Sequence, residues 1–448
     1  MKTPLVLASC CVASWCSNAL AGVIVVGPGQ PFTDLRAAVD AAEDGDTVLV
    51  KPGTYNGFRL LGKSLTVVGD LGGVIQLTEG VRIIGLGRGQ TAVLANLQVD
   101  GDGANQNALL RYGLYLSDDV GSVRVQDSRF TGRGADLFPI SSGYHFGTDG
   151  VSALDCADVA LANCNLFGAP VNVLSSSCGP LDCGSGLFAR TANLALSGCT
   201  LLGGSDTFIG PLLGLDGADA GDGARLRESS FLAALHSTLT GGFGGAATEG
   251  PEPYCPGCGG YGGRGVSLAS ESHPAESSAV LVSSTTFGGS DGYCGGMNLF
   301  VMSPSISHPS SATVIGGTPH SIGSASLIRE TQPFDVTLTG APGDRVKLFV
   351  CDAATFDYRP EWNGVLLVDR SQSAMPVVAA QPPLTPLLRV WKGYVLPSSG
   401  TLTVTLPTPS ITPSEGARTL HVQALFTNPS GQSFLSGHRC AIVLDASY

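Results

Sequence analysis

The chain has 448 residues, a formal net charge of −12, five Lys, and only 13% charged residues. This acidic, Lys-poor composition argues against nucleic acid or an anionic membrane as partner, because both bind clustered positive charge. The 62 Gly and the 43% of hydrophobic residues together favour many short strands joined by tight turns rather than disorder.

The N-terminus has the pattern of a signal peptide. Lys2 provides a positive charge, residues 5–15 are mostly apolar, and Ala19-Leu20-Ala21 fits the small-residue cleavage site. We therefore predict a signal peptide at 1–21 and a protein that is secreted or held at the cell surface. No later segment is apolar for long enough to predict a transmembrane helix. An alternative is lipidation at Cys10, because Leu7-Ala8-Ser9-Cys10 resembles a bacterial lipoprotein box.

The first structured block alternates strand, helix and strand. Residues 23–26 and 46–50 are short β runs, and 33–43 has its apolar residues on one helical face. A helix at this point would cover the open end of a stack of coils, which otherwise exposes unpaired backbone and apolar core. We predict a capping helix at 33–43.

The stretch from Phe32 to Tyr55 carries a resemblance to a known family. It is similar to the N-terminal cap of bacterial right-handed β-helix proteins of the pectin-lyase-like superfamily. The resemblance implies an all-β fold, with parallel strands stacked from about residue 46 to 300. It implies no activity, because that superfamily includes lyases, hydrolases, esterases, adhesins and uncharacterised proteins.

Internal repeats indicate the same fold independently of the resemblance. A motif of alternating apolar residues, a polar turn and a second short strand starts at Ala92, Val123, Val159, Leu194, Ala224 and Val280. An earlier strand precedes most copies, which predicts three strands per coil. The polar turns carry Asn96, Asp127 and Asn163, residue types that tolerate left-handed backbone, so we interpret them as a structural ladder.

The repeats divide the mature chain into two parts. We predict a right-handed parallel β-helix at 22–302, a Ser/Pro-rich linker at 303–319, and a β-sandwich-like domain at 320–448. The last range contains about seven short strands separated by Pro/Gly turns.

Ten cysteines remain after the predicted cleavage, an even number suited to an oxidising compartment. Cys178 could pair with Cys183, and Cys351 with Cys440. The spacing of Cys255 and Cys258 also occurs in zinc ribbons, but no second such pair exists, so a disulfide is favoured. The disulfide candidates are Cys178, Cys183, Cys255, Cys258, Cys294, Cys351 and Cys440.

A binding face is predicted on the first strand of successive coils. Residues between the inward-facing pairs point outward there, and they are Tyr115, Ser152, Phe188, Gly214 and Ser267. Tyr115 and Phe188 would lie two coils apart, as platforms on which sugar rings could stack, with Arg190 beside them. The alternative is that a neighbouring loop shields these aromatic rings.

Two carboxylates form a candidate metal site. Asp118 and Asp155 occupy equivalent positions one coil apart, or about 5 Å, and Ca²⁺ suits paired oxygens in extracellular proteins. The alternatives are solvated turn aspartates, a catalytic pair with the spacing of retaining glycosidases, or neutralisation by Arg190. No other cofactor is predicted.

The sequence contains no complete catalytic motif. Asp118-Asp119 and Thr148-Asp149 resemble pieces of polygalacturonase motifs, but the partner elements are missing. The leading hypothesis is a secreted or cell-surface protein that binds polysaccharide or acts as a scaffold. The alternative is a polysaccharide lyase or glycoside hydrolase acting in the groove along the first-strand face. The sequence leaves the glycan, the enzymatic status and the oligomeric state open.

Overall fold

The computed structural model describes eleven segments of the chain, and the predicted signal peptide at 1–21 lies outside them. The described residues are 22–101, 112–134, 145–170, 181–205, 219–245, 260–268, 277–292, 302–369, 389–390, 393–411 and 415–448. Within these segments, every helix is too short or too polar to cross a membrane.

Three long parallel sheets occupy the first two thirds of the chain. Sheet 1 consists of Val23–Val26, Thr47–Val50, Leu65–Gly69, Thr91–Ala95, Ser122–Gln126, Asp158–Ala162, Asn193–Ser197, Phe231–Leu235, Ser278–Val282 and Ala312–Ile315. Sheet 2 consists of Arg59–Leu61, Val81–Ile84, Leu114–Ser117, Val151–Leu154, Leu187–Arg190, Ala224–Arg227 and Val266–Ser267. Sheet 3 consists of Gly53–Tyr55, Ile75–Leu77, Gln98–Asp100, Arg129–Thr131, Asn165–Phe167, Thr200–Leu202, Thr238–Thr240 and Thr285–Phe287. A small parallel pair, His145–Phe146 with Leu181–Asp182, lies outside these sheets.

The chain visits sheets 1, 3 and 2 in turn and then returns to sheet 1 one position further along. Each strand therefore pairs with its equivalent in the next coil, as the strand at Ser122–Gln126 does with that at Asp158–Ala162. Alternate residues point inward from all three sheets into one continuous apolar core, which includes Leu94, Phe130 and Leu116. This arrangement of stacked parallel sheets is consistent with a β-helix.

Helix α1 spans Leu35–Ala41, inside the predicted range 33–43. The Asp34 carboxylate accepts a hydrogen bond from the Arg36 amide at 2.8 Å, which satisfies one free N–H of the first turn. At the other end, the Lys63 ammonium donates to the carbonyls of Val39 and Ala42, both at 2.6 Å. The buried side of the helix packs into the same core as the first strands.

The polar turns between sheets 1 and 3 have the left-handed backbone that the sequence predicts. Asn96, Asp127 and Asn163 have φ of 60°, 50° and 51°. Their side chains connect coils: the Asn163 amide donates to Asp127 at 3.3 Å, and that of Asn96 donates to the Gly69 carbonyl at 3.2 Å. This ladder is structural, because left-handed backbone selects Asn, Asp and Gly.

Glycine is abundant because the segments joining sheets 3 and 2 pack backbone against backbone. Segments that leave sheet 3 alternate in this packing with segments that lead back to sheet 2. The Gly221 amide donates to the Gly204 carbonyl, and the Gly242 amide donates to the Gly221 carbonyl, both at 2.9 Å. A Cβ added to Gly221 would lie 1.8 Å from the Gly184 carbonyl oxygen. The column runs through Gly184, Gly204, Gly221, Gly242, Gly263 and Gly289.

The stack of coils extends into the stretch predicted as a linker. Ile306 forms a parallel bridge with Val266, and the strand Ala312–Ile315 pairs with Ser278–Val282 in sheet 1. Pairing with the preceding coil therefore continues through part of the range 303–319. Both backbone and side chains attach this range to the coils: the Ser303 and Ser307 amides donate to the carbonyls of Gly289 and Val266, both at 2.9 Å, and Ile306 and Ala312 pack against the core.

The C-terminal part forms mainly antiparallel sheets. Sheet 4 consists of Ser321–Ser324, Phe334–Thr339 and Thr401–Leu406. Sheet 5 consists of Leu327–Arg329, Arg345–Cys351, Arg389–Val390, Tyr394–Val395, Ala417–Thr427, Ser433–Leu435 and Arg439–Leu444. A hairpin joins Ala354–Arg359 to Gly364–Val368, and short 3₁₀ turns span Pro309–Ser311 and Pro360–Trp362. Sheets 4 and 5 share one apolar core, to which Phe334, Leu348 and Phe426 contribute.

Sheet 5 buries its second face against the outward side of sheet 1. Val93 and Ala95 of sheet 1 pack with Ile442 of sheet 5 in one cluster. The Arg439 guanidinium donates to both Asp127 oxygens, at 2.9 and 2.6 Å. Charge-assisted, paired contacts of this kind fix the orientation of the two units as well as their attachment.

The proposed pairing of Cys351 with Cys440 is not formed, and both residues are buried free thiols. Sheet register explains this result, because each of them pairs with His421, which lies on the strand between theirs. Two strand spacings amount to about 9.6 Å, beyond the Cα separation that a disulfide can bridge. Cys183 is buried, and Cys178, Cys255, Cys258 and Cys294 lie outside the described residues.

We expect Gly221→Ala to destabilise the coils by about 3 kcal/mol, because the added methyl group forces backbone segments apart. Urea unfolding at neutral pH measures this change. The matched control is Gly316→Ala, where the added Cβ meets nothing within 4 Å and φ is not positive. Equal stability of the two variants would show that the glycine column tolerates side chains.

Candidate functional site

The outward face of sheet 2 brings the predicted aromatic residues into one column. Tyr115 pairs in register with Ser152, and Ser152 with Phe188. The two rings are therefore two strand spacings apart, about 9.6 Å, and both are partly exposed. The Tyr112 ring lies beside that of Tyr115, with centroids 5.6 Å apart and planes tilted by 44°.

Arginines extend this column at both ends, and the sequence analysis missed them. Arg82 pairs with Tyr115 on one side, Arg225 pairs with Phe188 on the other, and Arg59 lies beyond Arg82. The signal was present, since Arg82 alternates with apolar Val81 and Ile83. The prediction that Gly214 follows Phe188 was wrong, because Arg225 takes that place and Gly214 lies outside the described residues.

The arginines differ in how far neighbouring carboxylates neutralise them. The Arg225 Nε contacts Asp222 Oδ2 at 2.8 Å. Arg82 and Arg59 form no ion pair with any residue that the structure describes. Burial and the neighbouring charge of Arg59 lower the pKa of Arg82 below its usual value. The Arg82 end of the column therefore carries net positive charge from Arg82, Arg59 and Arg36, with Glu79 as the neighbouring carboxylate, although the chain as a whole is acidic.

Arg190 lies in the next outward column of the same face, two residues after Phe188. Its guanidinium approaches Asp155 and Glu228, each at 3.9 Å, and its side chain is 43% exposed. Arg227 pairs with Arg190 in register. The predicted place of Arg190 beside the aromatic column is therefore observed, together with its contact to Asp155.

Asp118 and Asp155 occupy successive left-handed turns between sheets 2 and 1, with φ of 57° and 54°. Their amides continue the ladder, donating to Leu154 and Arg190 carbonyls at 3.1 and 2.9 Å. Both side chains are exposed. These features favour solvated turn residues, with Arg190 as a counter-charge for Asp155, and binding of Ca²⁺ by this pair stays a prediction.

Asp119, next to this turn, is fully buried. Its Oδ1 accepts a hydrogen bond from the Leu86 amide at 2.8 Å, while its Oδ2 has no partner among the described residues. Burial raises the pKa of Asp119 to about 6, and the Asp118 charge adds to the effect. An unpartnered buried oxygen favours the protonated acid.

Asp149 lies two residues before the sheet 2 strand Val151–Leu154. Its Oδ1 accepts a hydrogen bond from the Ser185 amide at 2.7 Å. Burial raises the pKa of Asp149 to about 7, against the opposing effect of Arg225. Burial, followed by the charge of Asp149, also raises the pKa of Tyr112 to about 12. A carboxyl group that titrates near neutral pH thus lies at the edge of the aromatic column.

Comparison with known proteins adds little to this geometry. No protein-family model and no curated protein matches the chain. A cryo-EM structure of the native conformation of E. coli alpha-2-macroglobulin aligns at 12% identity and a TM-score of 0.19, over 30% of this chain and 11% of that one. Geobacillus virus E2 ORF18 aligns at 9% identity and a TM-score of 0.26, over 68% of this chain and 66% of that one. In both alignments the chain spans less than two thirds of the other protein.

We expect Asp119→Asn to change the pH dependence of stability. A carboxyl whose pKa rises from 3.8 to about 6 on folding stabilises the fold below pH 4, and this contribution is lost as the pH rises through 6. The Asn variant should lack this loss, so its unfolding free energy should change less between pH 4 and 7 than that of the native chain. Urea unfolding across this range measures the slope.

Asp118, the exposed neighbour of Asp119, provides the control. The unfolding free energy of Asp118→Asn should change with pH as that of the native chain does. A native slope in Asp119→Asn as well would mean that Asp119 is ionised in the folded protein throughout this range.

Proposed function

We propose that this chain is a secreted β-helix protein that binds polysaccharide on the outward face of sheet 2. The pectin-lyase-like classification and a sandwich-like C-terminal domain belong to the same proposal. The first rests on the stretch from Phe32 to Tyr55 and on the stacked coils, the second on the core shared by sheets 4 and 5. The observation that carries the functional proposal is the column Arg82, Tyr115, Ser152, Phe188 and Arg225.

A polymer suits this column because the column itself is periodic. In-register stacking repeats every outward position at the strand spacing of about 4.8 Å, so a ligand lying along the stack meets evenly spaced groups. Tyr115 and Phe188 provide apolar ring faces, and the small Ser152 between them leaves space. This spacing favours contact with successive units of a chain over a single compact ligand.

The arginines favour a glycan that carries carboxylate or sulfate groups. Guanidinium binds planar anions through two parallel N–H donors and remains charged at all accessible pH values. Arg82 and Arg59 have no carboxylate partner in the described segments, so an incoming anion would not displace an existing ion pair there. Local arginines thus offset the overall negative charge of the chain, which by itself would repel an anionic glycan.

The test is binding of acidic and neutral polysaccharides, measured by affinity electrophoresis and calorimetry. The double variant Tyr115→Ala/Phe188→Ala should weaken binding by ~1–3 kcal/mol, by analogy with stacking of bases on aromatic rings. Arg82→Ala should reduce affinity for the acidic glycan and leave affinity for a neutral one unchanged.

Phe287→Ala is the matched control, since this residue is 54% exposed at the far end of sheet 3 and should leave binding unchanged. If no glycan in the panel binds, or if the double variant binds like the native chain, sheet 2 is not the binding face.

A second candidate function is cleavage of the same glycan, as a lyase or hydrolase. The observation favouring it is Asp149, whose pKa near 7 suits proton transfer at neutral pH. Cleavage would appear as new reducing ends or unsaturated products. Asp149→Asn should then lower the rate by about 10²–10⁴-fold, whereas Asp155→Asn should not. Binding without either product would exclude this second function for the glycans tested.

A further inference from the structure

Three metal-binding side chains converge where sheet 5 packs on sheet 1. His421 and Cys440 pair directly across adjacent strands, and His438 lies two residues before Cys440, immediately ahead of the strand that begins at Arg439. All three are buried, with exposures of 3%, 4% and 1% for His421, His438 and Cys440. They form the one group of at least three His, Cys, Asp or Glu in the described segments whose ligand atoms all lie within 4.8 Å of one another.

The three ligand atoms form a compact triangle. His421 Nδ1 lies 2.9 Å from His438 Nε2, and Cys440 Sγ lies 3.5 and 3.9 Å from these two nitrogens. A cation in the plane of this triangle would lie about 2.0 Å from each atom, which equals a metal–imidazole bond and is slightly shorter than a metal–thiolate bond. Small outward movements would therefore complete coordination.

The backbone of Cys440 is held in place from the sheet 1 side. Gln126 donates to the Cys440 carbonyl at 2.7 Å and accepts from its amide at 2.6 Å. A side chain that fixes a ligand-bearing peptide at both polar groups orients the thiol, as outer-shell groups do in metal sites. This contact joins the two units of the chain, although all three residues of the triangle belong to the C-terminal unit.

We propose that His421, His438 and Cys440 form a buried three-coordinate site for Cu(I). Thiolate and imidazole together select thiophilic cations such as Cu(I) and Zn²⁺. Structural Zn²⁺ requires a fourth ligand, and in the described part of the chain no fourth His, Cys, Asp or Glu joins the triangle. Cu(I) accepts three ligands.

Charge also favours the monovalent ion. One thiolate and two neutral imidazoles make a neutral site with Cu(I) and a cationic one with Zn²⁺. The guanidiniums of Arg124 and Arg439 lie nearby, each already paired with a single carboxylate, Asp158 and Asp127. An additional uncompensated charge in this buried region would be costly.

A small cavity lies beside the triangle. It lies between the two units and is lined by Ala162, Ser197, Gly437 and His438, among others. Gly437 approaches so closely that an added Cβ would lie 2.2 Å from Ser197 Oγ. The cavity therefore lies next to His438 in a tightly packed junction.

The test uses the full mature chain, titrated with Cu(I) from a bicinchoninate complex under argon. The native chain should take up one Cu(I), melt at a higher temperature when loaded, and give a copper-edge X-ray absorption spectrum with two nitrogens and one sulfur. Cys440→Ser and His438→Ala should lower the affinity at least tenfold and abolish the shift in melting temperature.

The matched control is Cys351→Ser, which removes a buried thiol on the neighbouring strand, outside the triangle. It should bind Cu(I) like the native chain. The spectrum of the native chain remains decisive if the variants misfold. Failure of the native chain to remove Cu(I) from the complex, a spectrum without sulfur, or loss of binding in Cys351→Ser would overturn the proposal. Uptake of Zn²⁺ without uptake of Cu(I) would overturn the choice of ion.

Discussion

In-register stacking of parallel strands is the constraint on which the rest of the structure depends. Each coil must lie one strand spacing, about 4.8 Å, from the next along its whole length, in the connections as well as in the strands. Where side chains would prevent this approach, as at Gly184 and Gly221, the chain uses glycine. Where the backbone must turn sharply between sheets, it uses residues that accept positive φ, such as Asn163 and Asp155.

The same constraint creates the proposed binding face. Outward positions repeat in register from coil to coil. The residue types that occupy one column therefore set the chemistry of a continuous surface at regular intervals. Tyr115, Ser152 and Phe188 pair in register, so the two aromatic rings point to the same side of sheet 2 with the small Ser152 between them. Arginines at either end then concentrate positive charge on a molecule whose net charge is −12, and local charge rather than net charge governs recognition of an anionic chain.

Sheet 1 has the opposite role, since its outward face is covered rather than exposed. Small and apolar residues such as Ala160, Ala195 and Ala233 pack against Val365 and Leu367 of the C-terminal hairpin. Polar contacts also cross this junction: Arg124, which is paired with Asp158 within sheet 1, donates to the Thr355 carbonyl, and Arg439 donates to Asp127. The His421–His438–Cys440 triangle lies inside this junction, so occupancy by a metal would be linked to the attachment of the two units.

The sequence by itself determined the parallel strand stack, the helix near 33–43 and the left-handed turns, because each leaves a local pattern. Period-2 alternation, helical spacing and Asn or Asp at turns all act over a few residues. It also located the aromatic column, since outward positions follow from alternation alone.

Only the tertiary structure decided which residues face the core in strands that are buried on both faces. The repeat motif that starts at Val280 predicts Val280 and Val282 as inward residues of Ser278–Val282. In the structure Ala279 and Leu281 point inward, and the two valines pack against the C-terminal unit. A strand that is apolar on both faces has no alternation to read. The free thiols of Cys351 and Cys440, and the meeting of Cys440 with His421 and His438, likewise depend on how the strands of sheet 5 pair. That pairing joins residues distant in the chain, so no local pattern in the sequence specifies it.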